Sequence, residues 1–149
     1  MREAIRLAEA SLRNRGGPFG CVVVRRGRVV GRGQNSVTAD NDPTAHAEMV
    51  AIRAACQALG TFQLNDCELY TSCEPCPMCL GAIYWARLGR VFFGNDRKDA
   101  AAIGFDDDLI YGQIALPPES RAIPMVPLLR AEAQGAFRAW RDKPEKTEY

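Results

Sequence analysis

The chain has 149 residues, 47% of them hydrophobic and 25% charged, which suits one globular domain able to build its core without disulfide or metal staples. Nineteen Lys and Arg against 18 Asp and Glu leave a net charge of +1, which argues against a broad phosphate-tracking surface for nucleic acid but not against a local basic patch. No stretch approaches the roughly 20 apolar residues of a membrane span, and Met1 to Asn14 alternates charged with apolar residues where a secretion signal would run apolar, so the expected location is the cytoplasm, with reduced thiols.

From Arg2 to Leu12, the residues Ile5, Leu7, Ala8 and Leu12 recur at helical spacing, and Gly16-Gly17-Pro18 ends the pattern. This predicts an amphipathic first helix. Cys21 to Val24 and Arg28 to Val30 are β-branched runs separated by Arg-Arg-Gly, a hairpin signal. A polar loop, Gly31 to Asn41, follows the second strand. Asp42-Pro43 then predicts a helix start, with a capping side chain and a proline suited to the first helical position, and Gly60 its end. Thr44 to Glu48 would fall in the first turn. Cys67 to Ser72 predicts a strand, Cys76 to Ala86 a helix opened by Pro75 and Pro77, and Arg90 to Gly94 another strand. After a loop with Gly104 and three aspartates, Ile123 to Leu129 predicts a Pro-interrupted edge strand. Ala131 to Trp140 predicts a last helix before a charged tail ending at Tyr149. There are no repeats and no linker. Strands alternating with helices predict a layered α/β domain with helices on both faces of one sheet.

Chemistry concentrates at two points. The single histidine, His46, stands in His46-Ala47-Glu48, and Cys73, Cys76 and Cys79 stand in Cys-Glu-Pro-Cys-Pro-Met-Cys. A lone histidine is usually a satisfied or solvated side chain, but Cys76 and Cys79 lie at i and i+3 in the first turn of a helix, where both sulfurs can reach one metal. Unpaired N–H groups and the dipole at a helix start stabilise thiolates, the form a metal needs. Residues two apart on a helix point to opposite flanks, so His46 and Glu48 share a site only if the metal lies beyond the helix end. One His and two Cys leave a fourth position open, the arrangement that activates a water. Glu48 is then a candidate general acid/base. Cys73 could instead complete a closed Cys₃His structural site, or the Cys-x-x-Cys pairs could be redox-active; Pro75 and the strand-end position argue that Cys73 points elsewhere. Cys21, Cys56 and Cys67 read as inert buried thiols.

His46-Ala47-Glu48 with Pro75-Cys76-Pro77-Met78-Cys79 matches the His-x-Glu and Pro-Cys-x-x-Cys signature of zinc-dependent nucleobase deaminases. The chain thus resembles the cytidine deaminase superfamily. The resemblance implies a three-layer α/β/α sandwich around a five-stranded mixed sheet, one Zn2+ per subunit held by His46, Cys76 and Cys79, and proton transfer by Glu48. The segments Thr71 to Arg87, Ala101 to Asp107 and Phe137 to Arg141 with the final Tyr149 are similar to bacterial guanine deaminases of that superfamily, so the resemblance covers nearly the whole chain.

That likeness implies hydrolytic deamination of guanine to xanthine and ammonia, with Asn35, Asp107 and Tyr149 and the backbone of Ala47 contacting the purine. It also implies a homodimer in which residues 141–149 of a single domain, 1–149, cross over so that Tyr149 closes the neighbour's pocket. An acidic side chain suits guanine, whose edge presents several N–H donors; Asp107 is chosen over Asp106 by the family pattern alone. Read without the family, Asp106-Asp107-Asp108 caps a helix near Leu109, Asn35 serves a turn, and the tail is disordered. Phe19 and Phe105 could stack on a flat base or belong to the core. Competing activities are deamination of guanosine, cytosine or another small heterocycle, and of tRNA adenosine, which would call for a basic excess. A zinc-stabilised binding domain is the non-enzymatic alternative.

Overall fold

The computed structural model of the chain describes residues 1–105 and 107–148, which fall into two compact units, Met1–Asp107 and Asp108–Tyr149. In the first unit the order is α1 (Arg2–Arg13), β1 (Gly20–Arg25), β2 (Arg28–Gln34), α2 (Val37–Asp40), α3 (Ala47–Leu59), β3 (Cys67–Cys73), α4 (Pro77–Trp85), β4 (Arg90–Asn95) and α5 (Arg97–Ala102). The strands lie in the order β2-β1-β3-β4. β1 is antiparallel to β2 and β3, and β3 is parallel to β4, so α4 supplies the crossover that parallel neighbours require. The hairpin joining β1 to β2 turns on Arg26 and Gly27, with φ of 49° and 75°, the left-handed pair that a two-residue turn matched to strand twist demands.

Strand alternation sorts side chains to two faces. Cys21 and Val23 of β1 and Cys67 and Leu69 of β3 join Ala47, Ala51, Ile52 and Ala55 of α3 and Ile83 of α4 in one buried cluster. On the opposite face α1 packs over β1, burying Ala4, Ala8 and Val22, with Arg32 on β2 paired to Glu3 at 2.6 Å. A mixed sheet between helical layers is thus the predicted α/β architecture. Small residues set how closely α3 approaches. A Cβ on Gly33 of β2 would stand 2.0 Å from the carbonyl oxygen of Ala47 and 2.6 Å from the nitrogen of Ala51. Both are backbone atoms that cannot yield without moving the helix. Gly33→Ala is therefore expected to cost about 3 kcal/mol or more, read by urea unfolding, and to displace the first turn of α3; unchanged stability would refute this account of the packing.

The structure corrects the sequence expectations in four places. Among the described residues four strands form the sheet rather than five: Ile123 to Leu129 is not in a strand, and Pro124 and Pro127 deprive that segment of two N–H donors. The helix expected from Asp42 begins at Ala47. Asp42 Oδ1 instead accepts from the N–H and hydroxyl of Thr44 at 2.8 and 2.7 Å, closing a local side-chain turn that competes with helix. The loop after β2 holds the short helix α2. The loop after β4 opens with α5, where Asp96 accepts from the N–H groups of Lys98 and Asp99 and Asp99 reaches back to Asp96, a capping box that uses Asp where Glu or Gln is usual.

The second unit carries α6 (Asp108–Ala115), a 3-10 turn at Pro118–Ser120 and α7 (Arg130–Arg141). None of the described residues of these elements is buried. Among the described residues, no helix is long and apolar enough to cross a membrane.

Candidate active site

Two helix starts build the site. His46 is the residue before α3 and Cys76 the residue before α4, both with extended backbone (φ −69°, ψ 153° and φ −64°, ψ 167°). The carbonyl of each accepts the first helical bond, from the N–H of Val50 at 3.0 Å and of Leu80 at 2.8 Å. Cys79 follows one turn into α4. Nδ1 of His46 lies 3.5 Å from Sγ of Cys76, and the ligand atoms of His46, Cys76 and Cys79 all lie within 4.8 Å of one another. A tetrahedral zinc with sulfur at about 2.3 Å and nitrogen at about 2.0 Å separates such atoms by roughly 3.5 Å. The donor set therefore fits that ion.

The charge of the cluster fits as well. Hydrogen bonding from the Cys79 thiol, then from His46, holds the Cys76 thiol down to about 4 despite its burial. The same shared bond, with burial, pushes Cys79 up, and the Cys76 sulfur holds His46 above its ordinary value. A thiolate shared by its neighbours waits at two helix N-termini, where partial positive charge favours it. Cys73 stands apart. Its thiol donates to the carbonyl of Asp96 at 3.7 Å, it is outside the three-residue cluster, and burial pushes it up to about 11. All six cysteines are free thiols.

Glu48, in the first turn of α3, is buried, and its Oε1 accepts the hydroxyl of Thr71 at 2.7 Å. Burial raises its carboxyl above the ordinary value, against the opposing pull of that bond. One cleft is lined by His46, Glu48, Cys73, Glu74, Cys76 and Asp107 together with Phe19, Ala100 and Phe105, so the sequence-predicted Asp107 and both aromatic candidates meet the metal cluster. Phe19 and Phe105 pack edge to face, with ring centroids 4.8 Å apart at 86°. Asn35 is buried and is not among the residues that line this cleft. Its Oδ1 accepts from the N–H of Gly17 at 3.1 Å, and its own N–H bonds the carbonyl of Phe19 at 3.0 Å. Ala47 is fully buried between His46 and Glu48. Tyr149 and Asp106 lie outside the described residues. Sequence reasoning missed Thr71, Glu74 and Ala100, because strand alternation and the α5 capping box were the only signals that could have placed them here.

Two candidate donors at helix starts, a second thiol one turn on and a buried carboxyl beside them make up the donor set and proton-transfer group of a metal-dependent deaminase site on an α/β fold, and the chain belongs to the family of the cytidine and deoxycytidylate deaminase zinc-binding region, whose model matches residues 1–95. Within that family it is 57% identical over 134 residues to the guanine deaminase of Bacillus subtilis (strain 168), covering 90% of this chain and 86% of that one. The crystal structure of guanine deaminase from Bacillus subtilis superposes with a TM-score of 0.96 at 53% identity, over 99% of this chain and 95% of that chain. The tRNA-specific adenosine deaminase of Aquifex aeolicus is 38% identical over 104 residues, 69% of each chain.

Proposed function

We propose that the chain hydrolyses guanine to xanthine and ammonia. The observation that carries this reading is the cleft in which His46, Cys76, Glu48 and Asp107 meet, with Cys79 completing the donor set, in a chain alike over nearly its whole length to a guanine deaminase. His46, Cys76 and Cys79 would hold one zinc ion per chain, which when bound acidifies a water so that it is nucleophilic at neutral pH. Glu48 carries one proton from the attacking water to the ring nitrogen beside the amine-bearing carbon, then a second from the newly added hydroxyl to the amine, which leaves as ammonia while the carbonyl forms. Its raised affinity for protons suits a group that must both accept and release one near neutrality.

The carboxylate of Asp107 accepts from the N–H donors of the guanine edge, with Asn35 and the Ala47 backbone helping to hold the base. The whole chain, 1–149, acts as one deaminase domain in a cytoplasmic homodimer, residues 141–149 closing the partner's pocket with Tyr149. Supporting the dimer, within the first unit the edge strand β4 exposes Phe92 and Phe93 and α4 exposes Tyr84 and Trp85, side chains that a partner subunit would cover.

The test is ammonia release by the zinc-loaded protein from guanine, guanosine, adenine, cytosine and a tRNA. Turnover of guanine alone is expected. Turnover of another base but not guanine would keep the zinc chemistry and discard Asn35, Asp107 and Tyr149 as a guanine-reading set. A chain truncated after Arg141 should lose most guanine turnover while melting within a few degrees of the full chain. Full activity after truncation would remove the tail from the site.

A further inference from the structure

A group that moves a proton between water, ring nitrogen and amine must be aimed as well as charged. Glu48 is aimed from the sheet. Thr71 of β3 is fully buried, in register with Cys21 of β1, on the face that also carries Leu69 and Cys73. Its hydroxyl donates to Glu48 Oε1 at 2.7 Å, a contact that spans 23 residues of sequence. β-branching restricts χ1 of a strand threonine, so the direction of that hydroxyl is set by the rigid sheet rather than by a mobile side chain.

We infer that Thr71 is a positioning residue for the deamination: its hydroxyl pins one oxygen of the Glu48 carboxylate to β3 and thereby fixes the orientation of the carboxylate in the cleft that Glu48 lines. The inference rests on the guanine reading above. Valine at this position fills nearly the same volume but turns a methyl group toward Oε1. The buried oxygen then loses its donor, and the carboxylate turns toward whatever donors remain. Thr71 is not itself among the residues that line the cleft, so the damage falls on the aim of Glu48 and hence on the chemical step.

The experiment measures guanine kinetics, bound zinc per chain and melting temperature for wild type, Thr71→Val, Thr71→Ala and Thr71→Ser. Both hydroxyl-free variants are expected to lose kcat by about 10- to 100-fold, with KM within about threefold of wild type and zinc content unchanged. Thr71→Ser should recover kcat to within about fivefold, since serine keeps the donor but not the stiff χ1. Unchanged kcat in Thr71→Val or Thr71→Ala would overturn the inference, as would a serine variant as impaired as the valine one, or a loss that follows zinc content or melting temperature instead of the hydroxyl. Thr71→Ala keeps the test decisive if the valine variant fails to fold. Absence of guanine turnover in wild type overturns the guanine reading and this inference together, whereas wild-type turnover with indifferent variants removes Thr71 alone.

Discussion

Glu48→Gln is expected to reduce guanine turnover by about 10²- to 10⁴-fold, the range that a positioned proton-transfer group supplies, while leaving the fold intact. Glutamine keeps an acceptor for the Thr71 hydroxyl, now 2.7 Å from Oε1, and nearly the same volume, but its amide cannot shuttle a proton. Guanine should still bind, so kcat falls and KM changes little. Stability supplies an independent reading. Burial raises the folded-state affinity of Glu48 for a proton above that of the unfolded chain, ordinarily 4.5. The stability contributed by the protonated carboxyl is thus fully present below that pH and is lost as pH rises through the folded value. Metal-stripped wild type should therefore weaken relative to Glu48→Gln as pH rises above 4.5, measured by urea melts. A glutamine variant with wild-type turnover would remove Glu48 from the chemistry; a stability difference that does not vary with pH would contradict its buried, proton-holding state.

The second large effect is loss of the metal. Chelation should abolish turnover, and added zinc should restore it, with little change in secondary structure. The core that holds the first unit together, from Leu69 and Val23 to Ala51 and Ala55, contains none of the three ligands. This separates the deaminase reading from a zinc-stabilised binding domain, which chelation would unfold. Cys79→Ser should weaken zinc binding by more than the roughly 100-fold that losing an outer hydrogen-bond partner costs a metal site, because a fully buried thiol becomes a neutral hydroxyl with little affinity for zinc. Chelated protein that still turns over guanine, or a Cys79→Ser variant that retains zinc at wild-type affinity, would refute the ligand assignment.

How much of this was legible beforehand depends on how local each signal is. The metal cluster was readable because its spacing is short: Cys76 and Cys79 share one helical turn, and His46 and Glu48 flank a single alanine. The sheet was readable as far as Asn95 because its β-branched runs and helical periods are local too. The start of α3 was misplaced because Asp42-Pro43 satisfies a helix-start rule, while its side chain finds a nearer partner in Thr44. A fifth strand was read into Ile123 to Leu129 because alternation says nothing about whether a neighbouring ladder is there to receive it.

By itself the sequence determined which side chains are offered as donors, His46, Cys76 and Cys79 with Glu48 beside them, and the alternation of strands with helices, since each resides in short-range spacing and residue type. Only the tertiary structure decided that His46 and Cys76 stand one residue outside their helices, that Cys73 turns to Asp96 while still lining the cleft, and that Thr71 reaches Glu48 across the core. These follow from how β3, α3 and α4 pack on one face of the sheet. That packing is a sum of long-range contacts, Gly33 against Ala47 among them, which no local pattern encodes.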